Sequence, residues 1–498
     1  MDFYARGLKL SREGRHNDAI EAFERALADN PSDPRVLFAL GNTARSLGMA
    51  KPAEAFYRKV LALAPERLEA TVNLANLLRA EGQCAAAEAL LKPALVHNPG
   101  AAELWLALGS TYREMGDTGR ALPAYREALS RCPADAATLT NLADLLADEG
   151  AHEEALAYYA QALEREPHNA QTRLNRAMLH LTRGELTEGW RDYAARTKIA
   201  GKVPVALHKL PRWNGTSLKG LRLLVTAEQG VGDQIMFASL IPDLAARAAA
   251  EGGSILLECE PRLATLLARS FPAVAVQPGA FETRGGVMYA RYDWLKAAGG
   301  ANAAIEIGTL PRFLRPTLES FPPGNVYLRP DDDERNCWRA AFAHLPRPLI
   351  GVCWRSGGTG QGRAMHYAPL ERWAAFIREL PGSVISVQYE SDAAELAVLG
   401  AGRDILVPQG IDQKNELDRT AALLSSLDAV VSAPTAVSWL SAGAGVPTYR
   451  VIRHTCWTAF GRAHEPLAPA ALSLVPASPG DWADGFRQAG ALVSALRV

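Results

Sequence analysis

The chain has 498 residues, 48% of them hydrophobic and 21% charged, too long for one ordinary domain and apolar enough for several cores. A net charge of −1 excludes the broad basic field that nucleic acid or an anionic membrane attracts. Six cysteines, Cys84, Cys132, Cys259, Cys337, Cys353 and Cys456, lack CxxC or histidine-rich spacing, which argues against a disulfide framework and against a zinc site. The opening residues, "MDFYARGLKLSREGRHNDA", contain no hydrophobic leader segment, and no run of about 18 uncharged apolar residues follows. The cytoplasm is therefore the expected compartment.

From the N-terminus onward the chain repeats itself. Pro31, Pro65, Pro99, Pro133 and Pro167 recur every 34 residues. In register with them a small residue (Gly7, Gly41, Ala75, Gly109, Ala143, Ala177) marks where two helices must approach closely. A second series, Ala19, Ala53, Ala87, Ala121 and Ala155, opens the following helix, and Phe23, Tyr57, Leu91, Tyr125 and Tyr159 come four residues later. This pattern is that of the tetratricopeptide repeat; a sixth, degenerate unit runs through "LNRAMLHLTRGELTEGWRDYAAR". One helix pair cannot bury its apolar face, whereas stacked pairs share a core, so residues 1–200 are expected to form an α-solenoid. Such a solenoid has a groove for a protein partner. Asn73, Asn141 and Asn175 share one register position and Asn42 and Asn76 lie three places along. Their amides, which donate and accept at once, are candidates to grip an acceptor backbone; asparagine merely tolerated on an exposed face is the bland alternative.

After the linker "KIAGKVPVALHKLPRWNG" the period changes. Short apolar runs, "LRLLVTA", "SILLECE", "AVAVQ", "PLIGVCW", "SVISVQY" and "AVVSA", alternate with amphipathic stretches such as "PLERWAAFIREL" and "DRTAALLSSL". Alternation of this kind predicts α/β layers with parallel sheets. A proline-rich crossing near residue 330 predicts two sheets, one over 201–335 and one over 336–498, each binding ligand at the carboxyl ends of its strands. The last stretch, "PGDWADGFRQAGALVSALRV", reads as an amphipathic helix packing back across the lobes.

Four constellations lie just past predicted strands. In "TAEQGVGDQIMF" the glycines allow a tight turn, and Asp233 follows at a helix start. The spacing is neither GxGxxG nor a P-loop, so Asp233 is either a helix cap or a residue placed for chemistry, with Gln229 beside it on the acceptor side. "GVCWRSGGTGQGRAMHY" runs from a buried strand into a glycine-rich loop carrying Trp354, Arg355, Ser356, Gly357, Arg363, His366 and Tyr367, a dense set of donors for an anion. "VVSAPTAVSW" places Ser432, Pro434 and Thr435 at a strand-to-helix turn whose free N–H groups suit a phosphate. Gln388, in "SVQYE", stands at a strand end where a base or sugar hydroxyl is read.

In this order, "EQGVGDQIMFASLIP", "ILLECEPRL", "CWRSG" with "HYAPLERW", and "LDAVVSAPTAVSWLSAGAGVP" resemble bacterial proteins that fuse tetratricopeptide repeats to a glycosyltransferase domain. That domain is similar to the heptosyltransferases, and the architecture is similar to the eukaryotic O-GlcNAc transferase. The resemblance implies a GT-B fold of two Rossmann-like lobes, an inverting mechanism, and Asp233 as general base. It also implies a nucleotide-sugar donor, CMP- or UDP-linked, with no separate cofactor and no metal. The closest subset in wording is associated with flagellin glycosylation by nonulosonic sugars such as pseudaminic acid, so flagellin is the implied acceptor. Two departures stand out: the family's aspartate in the donor turn is absent from Ser432–Thr435, and no lysine sits beside His366, where Arg363 would supply the charge. The expected mechanism takes the acceptor Ser or Thr proton onto Asp233, with Arg355, Arg363 and the Ser432–Thr435 turn facing the departing phosphate. The alternatives are sugar transfer to lipopolysaccharide or another glycan, and a repeat scaffold whose transferase domain has lost catalysis.

Overall fold

The computed structural model describes residues 2–228, 230–324, 326–357 and 366–496. Arg363 and Gln229 lie outside the described residues. The chain divides into two compact units, Met1–His168 and Asn169–Val498.

The first unit contains five helix pairs among the described residues: α1 (Phe3–Arg12) with α2 (His16–Asp29), α3 (Pro34–Ser46) with α4 (Ala50–Leu63), α5 (Leu68–Ala80) with α6 (Cys84–His97), α7 (Ala102–Glu114) with α8 (Thr118–Arg131), and α9 (Ala136–Asp148) with α10 (His152–Arg165). The prolines spaced at 34 open the short turn after each second helix. The turn inside each pair depends on a glycine that proline spacing does not reveal: Gly14, Gly48, Gly82, Gly116 and Gly150 all hold φ between 71° and 81°, a left-handed conformation that penalises a Cβ. The small-residue series does what its register predicts. A Cβ on Gly41 or Gly109 would stand 2.7 Å from the ring of Tyr57 or Tyr125, so only hydrogen lets the aromatic seat itself. Those rings and the five register alanines are buried, each aromatic contributing about 1.5–3 kcal/mol.

The second unit starts with the sixth pair, α11 (Ala170–Thr182) and α12 (Leu186–Tyr193), followed by a 3₁₀ turn, Ala194–Lys198. Sequence spacing assigns this pair to a repeat region ending at residue 200, but the chain packs it within the second unit. Trp190 explains why: its indole N–H donates to the Arg315 carbonyl at 3.1 Å and its ring stands edge-on to Phe460 at 5.5 Å.

Two parallel sheets carry the rest. The first comprises β2 (Arg222–Thr226), β3 (Ser254–Cys259), β4 (Ala275–Pro278) and β7 (Ala303–Glu306), in the order β4-β3-β2-β7. Leu224 pairs with Leu256 on one side and Ala304 on the other. The second comprises β8 (Leu349–Cys353), β9 (Ser383–Ser386), β10 (Ile405–Leu406), β11 (Ala429–Ser432), β12 (Thr448–Val451) and β13 (Ala471–Leu474), in the order β10-β9-β8-β11-β12-β13. Val352 pairs with Ser386 and Val431. A small mixed sheet joins β1 (Val205–Ala206), β6 (Val287–Arg291) and β5 (Ala280–Arg284). Strands buried on both faces read as unbroken apolar runs, which is why β2, β8 and β11 are plain in the sequence.

Numbered within its own sheet, the second order is 3-2-1-4-5-6, that of the doubly wound nucleotide-binding fold. The first sheet is its 3-2-1-4 half. Each sheet therefore reverses direction beside its first strand, between β2 and β7 and between β8 and β11, and a crevice opens at the carboxyl ends there. The C-terminal helix, Trp482–Ser494, stays on the second sheet, with Phe486 stacked on Phe376 and edge-on to Trp373, each at 4.9 Å.

Candidate functional site

Both reversal points open on one cavity of about 1050 Å³. From the first sheet's side come the turn after β2 (Gly230, Val231, Gly232, Asp233), the stretch Gly201–Pro204, Arg262 and Met288. From the second come Ser356 and Gly357 after β8, Tyr389 and Glu390 after β9, and Pro434–Val437 after β11, together with His366, Tyr367, Lys414 and Trp439.

Asp233 is the third residue of the Val231–Ala238 helix, whose cap is Gly230. Its Oδ2 accepts the Gly230 N–H at 3.3 Å, and its side chain also lines the cavity. Asp233 thus supports the helix start through its bond to Gly230 while facing the cavity. Burial pushes its carboxyl from an ordinary 3.8 up to about 6, and the Glu228 carboxylate adds to the rise, while the Gly230 N–H, Arg196 and Lys202 pull it down. A carboxyl poised there can accept a proton near neutral pH.

Opposite, the Ala436–Gly443 helix begins after Thr435, its cap. Pro434 precedes that cap. Thr435 is buried, its Oγ1 3.3 Å from Ser432 Oγ and 3.5 Å from Cys353 Sγ. Around it, Tyr367 donates its hydroxyl to Ser356 Oγ at 2.8 Å, and the Gly357 N–H donates to Tyr389 Oη at 3.1 Å. Glu390 holds a left-handed φ of 55° and pairs with Lys414. A non-glycine residue in that region carries a strain of order 1–3 kcal/mol and marks functional loops. The His366 ring stands 6.0 Å from that of His454.

Several residues expected at the donor are placed elsewhere, each for a legible reason. Trp354 continues the alternation of Ile350 and Val352, so its ring enters the core packed by Trp373 and Phe376 and is 1% exposed. Gln388 is buried; its Oε1 accepts the N–H groups of Trp354 and Arg355, both at 3.0 Å, extending the β8–β9 pairing past the strand ends. Arg355 gives its guanidinium to Glu395, with Nη2 2.7 Å from Oε2, and to the Glu390 carbonyl at 2.9 Å. Ser432 is fully buried and donates to the Ala433 carbonyl at 2.6 Å. All four hold the cavity's walls instead of facing it. They follow strands as the sequence indicates; which face or partner each takes depends on pleat and tertiary pairing.

In the repeats, Asn73 Nδ2 donates to Asn42 Oδ1 at 2.9 Å, and Tyr57 donates to the same oxygen at 2.7 Å. Asn76 and Asn141 are half-buried. Asn175, on α11, belongs to the second unit, where its Oδ1 accepts from Gln171 at 2.6 Å.

Sequence reasoning overlooked the groups beneath Asp233. Arg196, from the 3₁₀ turn after the last repeat, and Glu228, two residues past β2, are each 1% exposed. They form a two-pronged pair, Nε to Oε2 at 2.9 Å and Nη2 to Oε1 at 2.6 Å. The signal available was a glutamate in "TAEQG" at the end of a buried strand; nothing local announces its arginine.

Among the described residues no group of histidines, cysteines and acids could hold a metal ion, and no helix is long and apolar enough to cross a membrane.

Two tetratricopeptide-repeat models match the chain, over residues 31–168 and 140–201. The chain is 32% identical over 322 residues to Protein FlbA of Caulobacter vibrioides, an alignment covering 64% of this chain and 53% of that protein. It thus spans about half the length of that relative. Among solved structures it is similar to TTC0263, a thermophilic tetratricopeptide-repeat protein of Thermus thermophilus, at 31% identity over 36% of this chain and 97% of that one, with a TM-score of 0.33. It is also similar to MamA, at 27% identity over 33% and 96%, with a TM-score of 0.29. The chain carries tetratricopeptide repeats followed by an α/β region of parallel sheets, and it is related to FlbA.

Proposed function

We propose that this chain is a GT-B glycosyltransferase that moves a sugar from a CMP- or UDP-linked donor to a Ser or Thr hydroxyl of a protein captured by its repeats, flagellin being the acceptor and a nonulosonic acid the sugar that the sequence resemblance suggests. The observation that carries this reading is Asp233: a carboxyl raised to about 6, lining a cavity that a helix N-terminus enters from the opposite sheet. The acceptor oxygen attacks the anomeric carbon as Asp233 takes its proton. The bond from that carbon to the phosphate oxygen breaks, its electron pair leaves with the nucleotide, and the configuration inverts. The N–H groups at the start of the Ala436–Gly443 helix, with Lys414 and His366 nearby, are suited to the charge that grows on the phosphate. Arg355 is paired with Glu395 and is not assigned to that step.

Intact-mass spectrometry of co-expressed flagellin tests this. A sugar-sized increment that disappears with Asp233→Ala supports the assignment, and an increment indifferent to that change removes the base. One observation favours a second reading, a repeat scaffold without catalysis: Arg355 and Gln388, two expected donor contacts, are spent on internal bonds. No increment with any CMP- or UDP-sugar on any protein acceptor would favour it, whereas transfer to a glycan alone would favour a lipopolysaccharide enzyme.

A further inference from the structure

The Arg196–Glu228 pair is placed where a charge pair is hard to justify by stability alone. Glu228 follows β2, and Gly308 and Thr309 follow β7, the two strands flanking the first sheet's reversal point. Glu228 Oε1 accepts the Gly308 N–H at 2.5 Å in addition to the guanidinium, and Arg196 Nη2 donates to Thr309 Oγ1 at 2.9 Å. Arg196 also donates to the Tyr193 carbonyl at 3.2 Å and lies 4.5 Å over the Tyr193 ring. The fit is close: a Cβ on Gly308 would come within 2.5 Å of Glu228 Oε1 and 3.0 Å of Arg196 Nη2. Buried ion pairs of this sort are often matched or exceeded in stability by apolar side chains of equal volume, because desolvation offsets the attraction. Phe237, Ile235 and Ile307 belong to the core around this one, and Thr309 links the pair to a second, more exposed one, Arg212 with Glu306, by accepting from Arg212 at 3.3 Å and donating to Glu306 at 3.1 Å. Glu228 precedes by two residues the turn, Gly230 to Asp233, that carries the carboxyl.

We propose that Arg196 and Glu228 are a positioning pair for the transfer reaction: they join the ends of β2 and β7 and fix the turn that presents Asp233 to the cavity. This rests on the role proposed above for Asp233. Both side chains are 1% exposed and neither lines the cavity, so both act through Asp233, whose hold on its proton the Glu228 carboxylate strengthens and Arg196 weakens. Among the described residues, Lys202, from the Gly201–Pro204 stretch, also acts on that carboxyl. From the second sheet the Pro434–Val437 turn contributes only backbone dipoles, while Arg262, His366, Glu390 and Lys414 line the same cavity.

The test is a carbon-13 carboxyl titration of the full chain, with the Asp233 signal assigned by its loss in Asp233→Asn. Glu228→Gln keeps the acceptor oxygen and removes the negative charge; its midpoint is expected to fall below the wild-type value. Arg196→Met is expected to raise the midpoint, and Arg196→Lys to leave it near wild type. Because either single change leaves a buried charge unpaired, circular dichroism accompanies each, and the paired variant Arg196→Met with Glu228→Gln provides a neutral comparison whose midpoint lies between the two. Opposite displacements in the two single variants support the pair. Midpoints that stay put, or move the same way, overturn it, since a merely structural loss has no sign. Transfer measured against pH in the same variants separates the two proposals. An acid limb that follows the titration supports both; opposed displacements without transfer from any CMP- or UDP-sugar sink the proposed function and leave the pair's control of Asp233 standing.

Discussion

Gly232 lies against Ala436: a Cβ built on it would stand 3.4 Å from the Ala436 Cα and 3.6 Å from Trp439 Cδ1. The helices that follow β2 and β11 thus touch at their first turns, and Asp233 is the next residue along. A methyl group fits at ordinary contact distance, and a leucine is expected to press on Ala436 and Trp439. Gly232→Ala is expected to unfold in denaturant like wild type, whereas Gly232→Leu is expected to lose about 1–3 kcal/mol from overpacking and to lose transfer as the two turns separate. Urea unfolding beside the flagellin mass assay checks both; a Gly232→Leu protein with wild-type stability and transfer would deny the contact.

The raised carboxyl of Asp233 has a signed consequence for stability. The unfolded chain loses this proton near 3.8 and the folded chain near 6. The group's favourable contribution is therefore complete below 3.8 and is lost as pH rises through 6, where the ionised carboxylate costs up to about 3 kcal/mol. Asp233→Asn removes that dependence. Its stability advantage over wild type is expected to open between pH 4 and 6 and to stay level above, measured by denaturant unfolding at a series of pH values. Wild-type transfer should rise with pH through the same interval, and Asp233→Asn should not transfer at any pH. A constant stability difference across the series would mean that the carboxyl is not perturbed.

How far the sequence reached is clearest at particular residues. The prolines at 34-residue spacing mark turns that lie at those positions, because one local geometry is repeated. Strands β2, β8 and β11 are evident because both faces are buried. Strand β7, "AAIE", is too short and too plain to announce itself, yet it completes the reversal point beside β2. Asp233 is legible because a turn and a helix start are local events. Arg196 is not, since its partner lies 32 residues away and only the closed fold brings them together. Trp354 shows the intermediate case: its position past a strand is readable, but the face it takes follows from the pleat of Ile350 and Val352 beneath it.

Arg355 and Glu395 lend themselves to a double-mutant cycle. Both side chains are mostly buried, 17% and 13% exposed, and the carboxylate also caps its own helix by accepting the Asp392 N–H at 3.4 Å. If the pair holds the loop after β8, Arg355→Ala and Glu395→Ala should lower stability by similar amounts and the double variant by little more, a coupling of about 0.5–3 kcal/mol. If the guanidinium serves the donor instead, Glu395→Gln would free it and tighten binding of CMP or UDP. Calorimetric titration with each nucleotide, alongside urea unfolding, distinguishes these; additive losses with tighter nucleotide binding would return Arg355 to the donor.

The asparagines of the repeats divide by what they already hold. Asn42 accepts the hydroxyl of Tyr57, a ring fully buried between its helices, and burial raises that phenol's pKa. Removing the amide takes away the acceptor shared by Tyr57 and Asn73, a loss of roughly 0.5–1.5 kcal/mol per bond. Asn42→Ala is therefore expected to lower the melting temperature, and any loss of acceptor affinity in it reflects a loosened repeat. Asn141 stands three places before that role, which in its repeat falls to Asp144: Tyr159 donates its hydroxyl to Asp144 at 2.5 Å. Asn141→Ala is expected to melt with wild type and still to bind flagellin more weakly, because an amide that can grip a peptide backbone is lost without loss of packing. Calorimetric binding and melting of the two variants side by side carry the comparison. Equal affinity for Asn141→Ala and wild type would remove the amide series from the acceptor's path and leave the groove to act by shape and charge.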